Sequence, residues 1–347
     1  MTTHEHYTLA AAEYLSRLRW RNVQPTTMRN YKSVLDAFGA FLATQPTSRD
    51  LYGAVSAWQE RLLSAGKTPS TVRQYLTTLK IFFDKATKRS FPEHLRFAEN
   101  PVDTDEAPKA VTRPYEELLT DEQAASLFAN TPPSFRFQEH WPRTYAMLML
   151  LLNEKIRNAE LLDLRLCDLD LIHHELTIES GKGRKYRVVD LCELSETAVE
   201  LYLTAGIRPA YLPDDAPLFG TTAAHRYGAG RTDGAEPWHR GSSAWLSALV
   251  ERTVYEKTGV HDIRTHDLRH IGARICLNAG TSLEQLQGEL GHSDSKVTER
   301  YSGRLLQRRR RESAKAVLDA RAAAAEANRA ELRRLAEQDE DSVLYIA

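Results

Sequence analysis

Five short segments scattered along this chain supply Arg157, Lys182, His266, Arg269, His292 and a late tyrosine, Tyr301, and any fold it adopts has to bring them together. They are Lys155-Ile156-Arg157-Asn158-Ala159-Glu160-Leu161, Gly181-Lys182-Gly183-Arg184-Lys185, His266-Asp267-Leu268-Arg269-His270, Leu290-Gly291-His292 and Tyr301. The set suits attack on a phosphodiester: a tyrosine nucleophile, guanidinium groups to hold phosphate oxygens, and lysine and histidine groups to move protons. Such chemistry needs no metal. A lone Gly-Lys-Gly turn or His-x-x-Arg helix is common, so the information lies in all five together and in their order.

In that order the segments resemble the tyrosine recombinase family, the phage-integrase and Xer-like site-specific recombinases, from about Tyr7 to Ser302. The family pattern is an Arg in a Leu-Arg-x-x-Glu-Leu stretch, a Lys in a Gly-Lys-Gly turn, a His-x-Leu-Arg-His box, a Leu-Gly-His, and a Tyr nine positions after that His, as Tyr301 is after His292. The sequence departs from it mildly. Lys155 stands where the family often has glycine, and His270-Ile271-Gly272-Ala273-Arg274 replaces the commoner His-Thr-Phe-Ala-Thr. Neither change touches a catalytic residue type; they bear on local packing and subfamily.

The resemblance implies a multidomain chain: an all-α, SAM-like core-binding domain followed by a mixed α+β catalytic domain, mostly helical with a small β-sheet. The expected division is 1–100 for the first domain, 101–114 for a linker, 115–302 for the catalytic domain and 303–347 for a C-terminal tail. It also implies roles. Tyr301 attacks the scissile phosphate, Arg157 and Arg269 clamp its non-bridging oxygens, Lys182 protonates the 5′-oxygen, His266 accepts a proton or donates to the phosphate, and His292 is a second donor. Arg157 has a rival reading as a partner of Glu160 or Asp163. The expected activity is site-specific recombination through a 3′-phosphotyrosyl link and a Holliday junction, without ATP, cofactor or metal, by four protomers on two duplexes, either a homotetramer or a heterotetramer with a partner recombinase. A type IB topoisomerase or telomere resolvase shares the chemistry without the synapsis. A DNA-binding regulator would share the fold without the reaction.

The residues support this reading independently. A formal net charge of −1 argues at first against a DNA-binding protein, but the charges are unevenly spread. Acidic residues gather at 103–106, 214–215 and 339–341, and basic ones around 17–32, 80–89, 181–187 and 308–311, so a basic groove on a neutral particle is permitted. The plausible phosphate contacts are Arg29, Lys32, Arg73, Lys80, Lys85, Lys88 and Arg89 in the first domain, with Arg184 and Lys185 beside the lysine turn. Hydrophobic content of 42% is ordinary for a chain with real cores, and no apolar run approaches the roughly 20 residues that span a bilayer. With no signal peptide at its polar start, the protein is expected in the cytoplasm, with Cys167, Cys192 and Cys276 as reduced, buried thiols.

Periodicity places the elements. Tyr31, Leu35, Phe38 and Leu42 recur at helical spacing, as do Tyr75, Leu79, Phe82 and Ala86, and Thr68-Pro69 reads as a helix start. With helical features beginning almost at once, the additional N-terminal arm-binding domain of some phage integrases is not expected. Thr120 and Gln123 have capping-box spacing. Alternation over 175–179 and 185–191 predicts a β-hairpin with Lys182 at its turn. Residues 205–240 read as a loop elaboration. Thr265 is the expected cap of the helix holding His266 and Arg269, and Thr281 with Glu284 of the next. His261, His266 and His270 invite a metal reading, but no further ligand completes one, and His270 is read as structural. Beyond the tyrosine, an Ala-rich helix leads to an acidic spacer and the apolar end Val343-Leu344-Tyr345-Ile346, which predicts a segment docking onto a neighbouring protomer; the alternative is a helix packed on its own domain.

Overall fold

The structure, a computed structural model, describes residues 2–21, 23–45, 50–105, 107–109, 118–180, 185–221, 238–290 and 307–338, with residues 135–137, 180, 185, 283, 287, 289 and 307–314 described in backbone only. Lys182, Arg184, His292 and Tyr301 therefore lie outside the described residues, as do 222–237 and the apolar end. The chain divides into two compact units, Met1–Arg113 and Pro114–Ala347. No helix among the described residues is long and apolar enough to cross a membrane.

Among its described residues the first unit holds four α-helices: α1 (Thr3–Trp20), α2 (Pro25–Leu42), α3 (Leu51–Ser64) and α4 (Pro69–Ala86). Local signals open three of them. Thr2 and Glu5 form a capping box on α1, Asp50 caps α3, and Thr68 caps α4 with Pro69 in the first turn, where its missing N–H costs nothing. The apolar stripes meet in a core dense in aromatic rings. Tyr7 lies edge-on to Phe38 at 5.2 Å and to Phe82 at 5.5 Å, and its buried hydroxyl donates to the Leu35 carbonyl at 3.0 Å. The stretch expected as a linker is packed here as far as it is described. Asn100 Nδ2 donates to the Lys80 carbonyl and to Asp84, and Val102 and Ala107 are buried in this unit's core.

The second unit is built around α6 (Trp141–Leu152), whose residues from Tyr145 to Leu152 are all buried, because it is enclosed on every side. Before it comes α5 (Asp121–Phe128), opened by the Thr120/Gln123 capping box that the sequence predicts. After it come α7 (Asn158–Asp163), β1 (Leu169–Asp170), β2 (Glu175–Ser180), β3 (Lys185–Asp190) and α8 (Glu193–Thr204). The three strands form one antiparallel sheet in the order β1-β2-β3, with Ser180 opposite Lys185, so residues 181–184 are the connection between β2 and β3. The segment read as a loop contributes a second small sheet, β4 (Gly220–Thr221) against β5 (His239–Arg240), which its short strands gave no periodicity to reveal. Then come α9 (Ser243–Thr258), α10 (Thr265–Asn278), α11 (Leu283–Leu290) and α12 (Gln307–Gln338).

Two caps differ from expectation. Arg264, not Thr265, is the N-cap of α10: its N–H is held by Asp267 Oδ2 at 2.9 Å, while buried Thr265 accepts from Asn158 Nδ2 at 3.1 Å. On α11 the reciprocal pair is Ser282 with Gln285, each bond 3.1 Å, one residue later than the Thr281/Glu284 pair. Either Ser or Thr can accept from the third helical N–H, so spacing alone did not choose.

Helix α12 packs within its own unit, while the apolar end 343–346, on which the docking expectation rests, lies outside the described residues. Val317 and Ala325 are in the core, and a buried polar chain fixes the helix: Trp141 Nε1 donates to Asn130, Asn130 Nδ2 to Asn328 at 2.9 Å, and Asn328 Nδ2 to Thr197 at 3.2 Å. The cysteine expectation also needs correction. All three are free thiols, but Cys167 is exposed and the others half-buried.

A single close approach fixes how α10 sits on α6. A Cβ on Gly272 would lie 1.8 Å from the Leu152 carbonyl oxygen, a backbone atom that cannot step aside. Gly272→Ala is therefore expected to push α10 off the end of α6 and lower stability by about 3 kcal/mol, the upper end for overpacking. Urea unfolding measures it; a loss below about 1 kcal/mol would show that α10 re-seats without strain.

Candidate active site

The turn after α6 begins the site. Lys155 has φ of 54°, the left-handed region that costs a side-chain-bearing residue about 1–2 kcal/mol. Its buried ammonium donates to the Asn153 carbonyl at 2.5 Å and lies 3.5 Å from Cys276 Sγ. The turn is fixed from beneath by Glu154, which accepts from Ser195 Oγ at 2.7 Å and from the Cys192 N–H at 3.0 Å.

Burial pushes the Glu154 carboxyl up, these hydrogen bonds and Lys155 pull it down, and it settles at about 7. Because the folded protein holds this proton more tightly than the unfolded chain, its stability is unaffected below the ordinary value of 4.5 and falls as pH rises from there to about 7, by up to about 3 kcal/mol. Glu154→Gln should flatten that slope. Unfolding free energies measured between about pH 4 and 8 give the answer; identical slopes in both proteins would show that Glu154 does not titrate there.

Arg269 projects from α10 back to this turn and is 1% exposed. One η-nitrogen donates to the Lys155 carbonyl and Nη2 donates to the Leu290 carbonyl at 2.5 Å. Arg157, in extended conformation as the N-cap of α7, donates from Nη2 to the same Leu290 carbonyl at 3.4 Å, with 40% of its side chain exposed. The last carbonyl of α11, at the negative end of that helix, thus joins the two arginines.

Glu160 lies beneath Arg157. It accepts from the Arg157 backbone N–H and Nη1, each at 2.8 Å, and from Arg187 of β3 at both oxygens, at 2.9 and 2.8 Å. Burial raises its carboxyl, but bonds from Arg187 and then Arg157 outweigh this and hold it down at about 2. Arg157 is therefore a partner of Glu160, and the pairing leaves an edge of its guanidinium exposed.

His266 is exposed at the start of α10, its ring edge-on to buried His270 at 4.3 Å. Partial desolvation, then the charges of Arg269 and Arg157, lower its pKa against the opposing pull of Asp267. It is thereby disposed to be neutral, a proton acceptor, near neutral pH.

Of the six catalytic residues expected, then, Arg157, His266 and Arg269 converge, although the first lies far from the others in sequence. Lys182, His292 and Tyr301 are outside the described residues. Sequence reading missed Arg187 and the shared Leu290 carbonyl. Nothing local marks either, since one is an ordinary strand arginine and the other a backbone atom. Of the expected phosphate contacts in the first unit, Arg29, Lys32, Arg73, Lys85, Lys88 and Arg89 reach solvent, Lys32 being paired with Asp36. Lys80 is half-buried and donates to Thr104 at 3.0 Å, a structural tie. The side chains of Arg184 and Lys185 are not among those described.

Comparison with known proteins agrees with this geometry. The phage integrase family matches residues 117–307. The tyrosine recombinase XerC of Corynebacterium efficiens is 30% identical over 287 residues, 80% of each chain, and that of a Roseiflexus species 27% identical over 288 residues, 81% of this chain and 84% of its own. Among solved structures, the Tn1549 transposon integrase in complex with transposon right end DNA superposes with a TM-score of 0.64 at 19% identity, covering 92% of this chain and 99% of that one. A lambda integrase tetramer bound to a Holliday junction also gives 0.64, at 17% identity, over 88% of this chain and 79% of its own.

Proposed function

This chain belongs to the phage integrase family, and we propose that within it the protein is a site-specific recombinase that cuts and rejoins DNA through Tyr301, with Arg157, Arg269 and His266 around the reacting phosphate. The observation that carries the reading is the meeting of Arg157 and Arg269 on the Leu290 carbonyl, with His266 beside them. A guanidinium has five N–H donors. Two of those on Arg269 are spent on carbonyls, which fixes its plane, and the part-exposed guanidinium of Arg157 beside it is a planar group suited to phosphate oxygens.

In the proposed reaction the Tyr301 phenol attacks phosphorus while its proton passes to His266, in keeping with the lowered pKa of that ring. Negative charge grows on the non-bridging oxygens and is stabilised by the two arginines and His292. The P–O5′ bond breaks as Lys182 gives a proton to the departing oxygen, leaving DNA joined through its 3′-phosphate to Tyr301 and a free 5′-hydroxyl. The bond is conserved in the ester, so a 5′-hydroxyl from a partner strand reseals without ATP. Two such exchanges, through a Holliday junction, require four protomers on two duplexes, and the exposed cations of α2 and α4 contribute phosphate contacts.

The test is to incubate the protein with nicked duplexes drawn from its own genetic neighbourhood and search for an adduct that survives SDS. The expected adduct carries DNA by a 3′-phosphate on the peptide containing Tyr301. Binding without any adduct would favour a DNA-binding regulator, and an adduct without complexes holding two sites would favour a topoisomerase or resolvase.

A further inference from the structure

We propose that Arg187 is a positioning residue that latches the β2-β3 hairpin to the arginine clamp and so governs proton delivery by Lys182. The proposal rests on the reading of Lys182 as proton donor to the 5′-oxygen: a lysine on a hairpin connection has to be kept in reach of a phosphate that residues of other elements hold.

Among the described residues the hairpin's apolar anchorage lies at one end. Leu176, Ile178 and Val189 bury their side chains in the core, but β1 pairs with just Glu175 and Leu176 along the other edge, while Tyr186 and Val188 on the outer face are exposed. Toward the 181–184 connection the apolar anchorage gives out. Arg187, opposite Ile178, is the described inward-facing residue of β3 nearest that connection. Its guanidinium makes a two-point bond to Glu160, side chains 18% and 6% exposed, and Glu160 also holds both the backbone N–H and Nη1 of Arg157. One carboxylate therefore registers the hairpin that carries Lys182 against the arginine that faces the phosphate. Planar, bidentate and largely desolvated, this contact fixes orientation as well as distance. Charge adds a second effect. A carboxylate beside a phosphate site is repulsive, and Arg187 neutralises it so that Arg157 is not drawn wholly into Glu160.

The two effects separate by leaving group. A 5′-bridging sulfur leaves as thiolate without needing a proton, so a defect in proton delivery vanishes on that substrate, whereas a defect in the phosphate clamp or in the fold persists. Arg187→Gln is expected to slow single-turnover cleavage of the ordinary phosphodiester by on the order of 100-fold, the scale of a general acid's contribution, and to slow the sulfur-bridged duplex far less, by only the share that falls on the clamp. Arg187→Lys, which keeps the charge but loses the fork, should show the same split in milder form and guards against loss of folding. Equal defects on both substrates, or none on either, overturn the proposal. Amide hydrogen exchange gives a reading independent of activity: residues 178–188 should exchange faster in Arg187→Gln while α10 is unchanged, and unchanged strand exchange counts against the latch. Wild-type protein that forms no adduct with the ordinary substrate would instead refute the recombinase reading, and the exchange result would still stand.

Discussion

Arg269→Ala is expected to reduce the rate of adduct formation by about a hundred- to a thousand-fold and at the same time to destabilise the second unit by about 3 kcal/mol. Both losses stem from one side chain. Arg269 is the largest fully buried side chain among the described residues, and its guanidinium satisfies the Lys155 and Leu290 carbonyls. Truncation leaves two buried acceptors without this donor and a cavity in which neither water nor the neighbouring side chains restore the same geometry. It also removes preorganised positive charge from the place where negative charge grows in the transition state. Arg269→Lys is the sharper variant. It retains the charge but not the planar fork, so it cannot span two carbonyls and still face the phosphate, and little rescue is expected. Single-turnover adduct formation at saturating DNA, paired with urea unfolding, separates the two losses. A rate within about tenfold of wild type in Arg269→Ala would remove this residue from the clamp.

Tyr301→Phe should abolish the adduct altogether, since it deletes the oxygen that bonds to phosphorus and leaves the ring. The phenol has a pKa near 10, so its attack at neutral pH depends on a proton acceptor and a positive field, and none of those groups can serve in its place as a 3′-linking nucleophile. DNA binding is expected to persist at wild-type affinity, because phosphate contacts from arginine and lysine dominate it. The contrast with Arg269→Ala is diagnostic: a slowed reaction marks a stabilising group, and an absent one marks the nucleophile. Residual adduct in Tyr301→Phe, mapped to another side chain, would overturn the assignment.

Much of the fold was legible because its signals are local. Helical spacing of Leu35, Phe38, Leu79 and Phe82 reports a face excluded from water, Thr68-Pro69 and Thr120 with Gln123 report helix starts, and alternation across 175–179 and 185–191 reports a hairpin. The misreadings came where local signals tie or fade. Thr281 and Ser282 are equivalent as caps by sequence, and strands of two residues such as β4 and β5 are too short to show a period. For α12 the Ala-rich stretch announced a helix and gave no hint of its partner. Asn328 chooses it, by completing a hydrogen-bond chain with Asn130 and Thr197, residues remote in sequence.

The sequence by itself determined the chemistry of the site, because nucleophile, phosphate-binding and proton-carrying groups are set by side-chain type, and order and spacing named the family. Only the tertiary structure decided how those groups are held: Arg157 and Arg269 joined through one backbone carbonyl, Glu160 shared by Arg157 and a strand arginine, α10 seated on α6 through Gly272, and α12 folded into its own unit. These contacts link residues far apart in the chain, and their strength depends on burial and orientation. Both are properties of the packed molecule, and neither is encoded in any short stretch of its sequence.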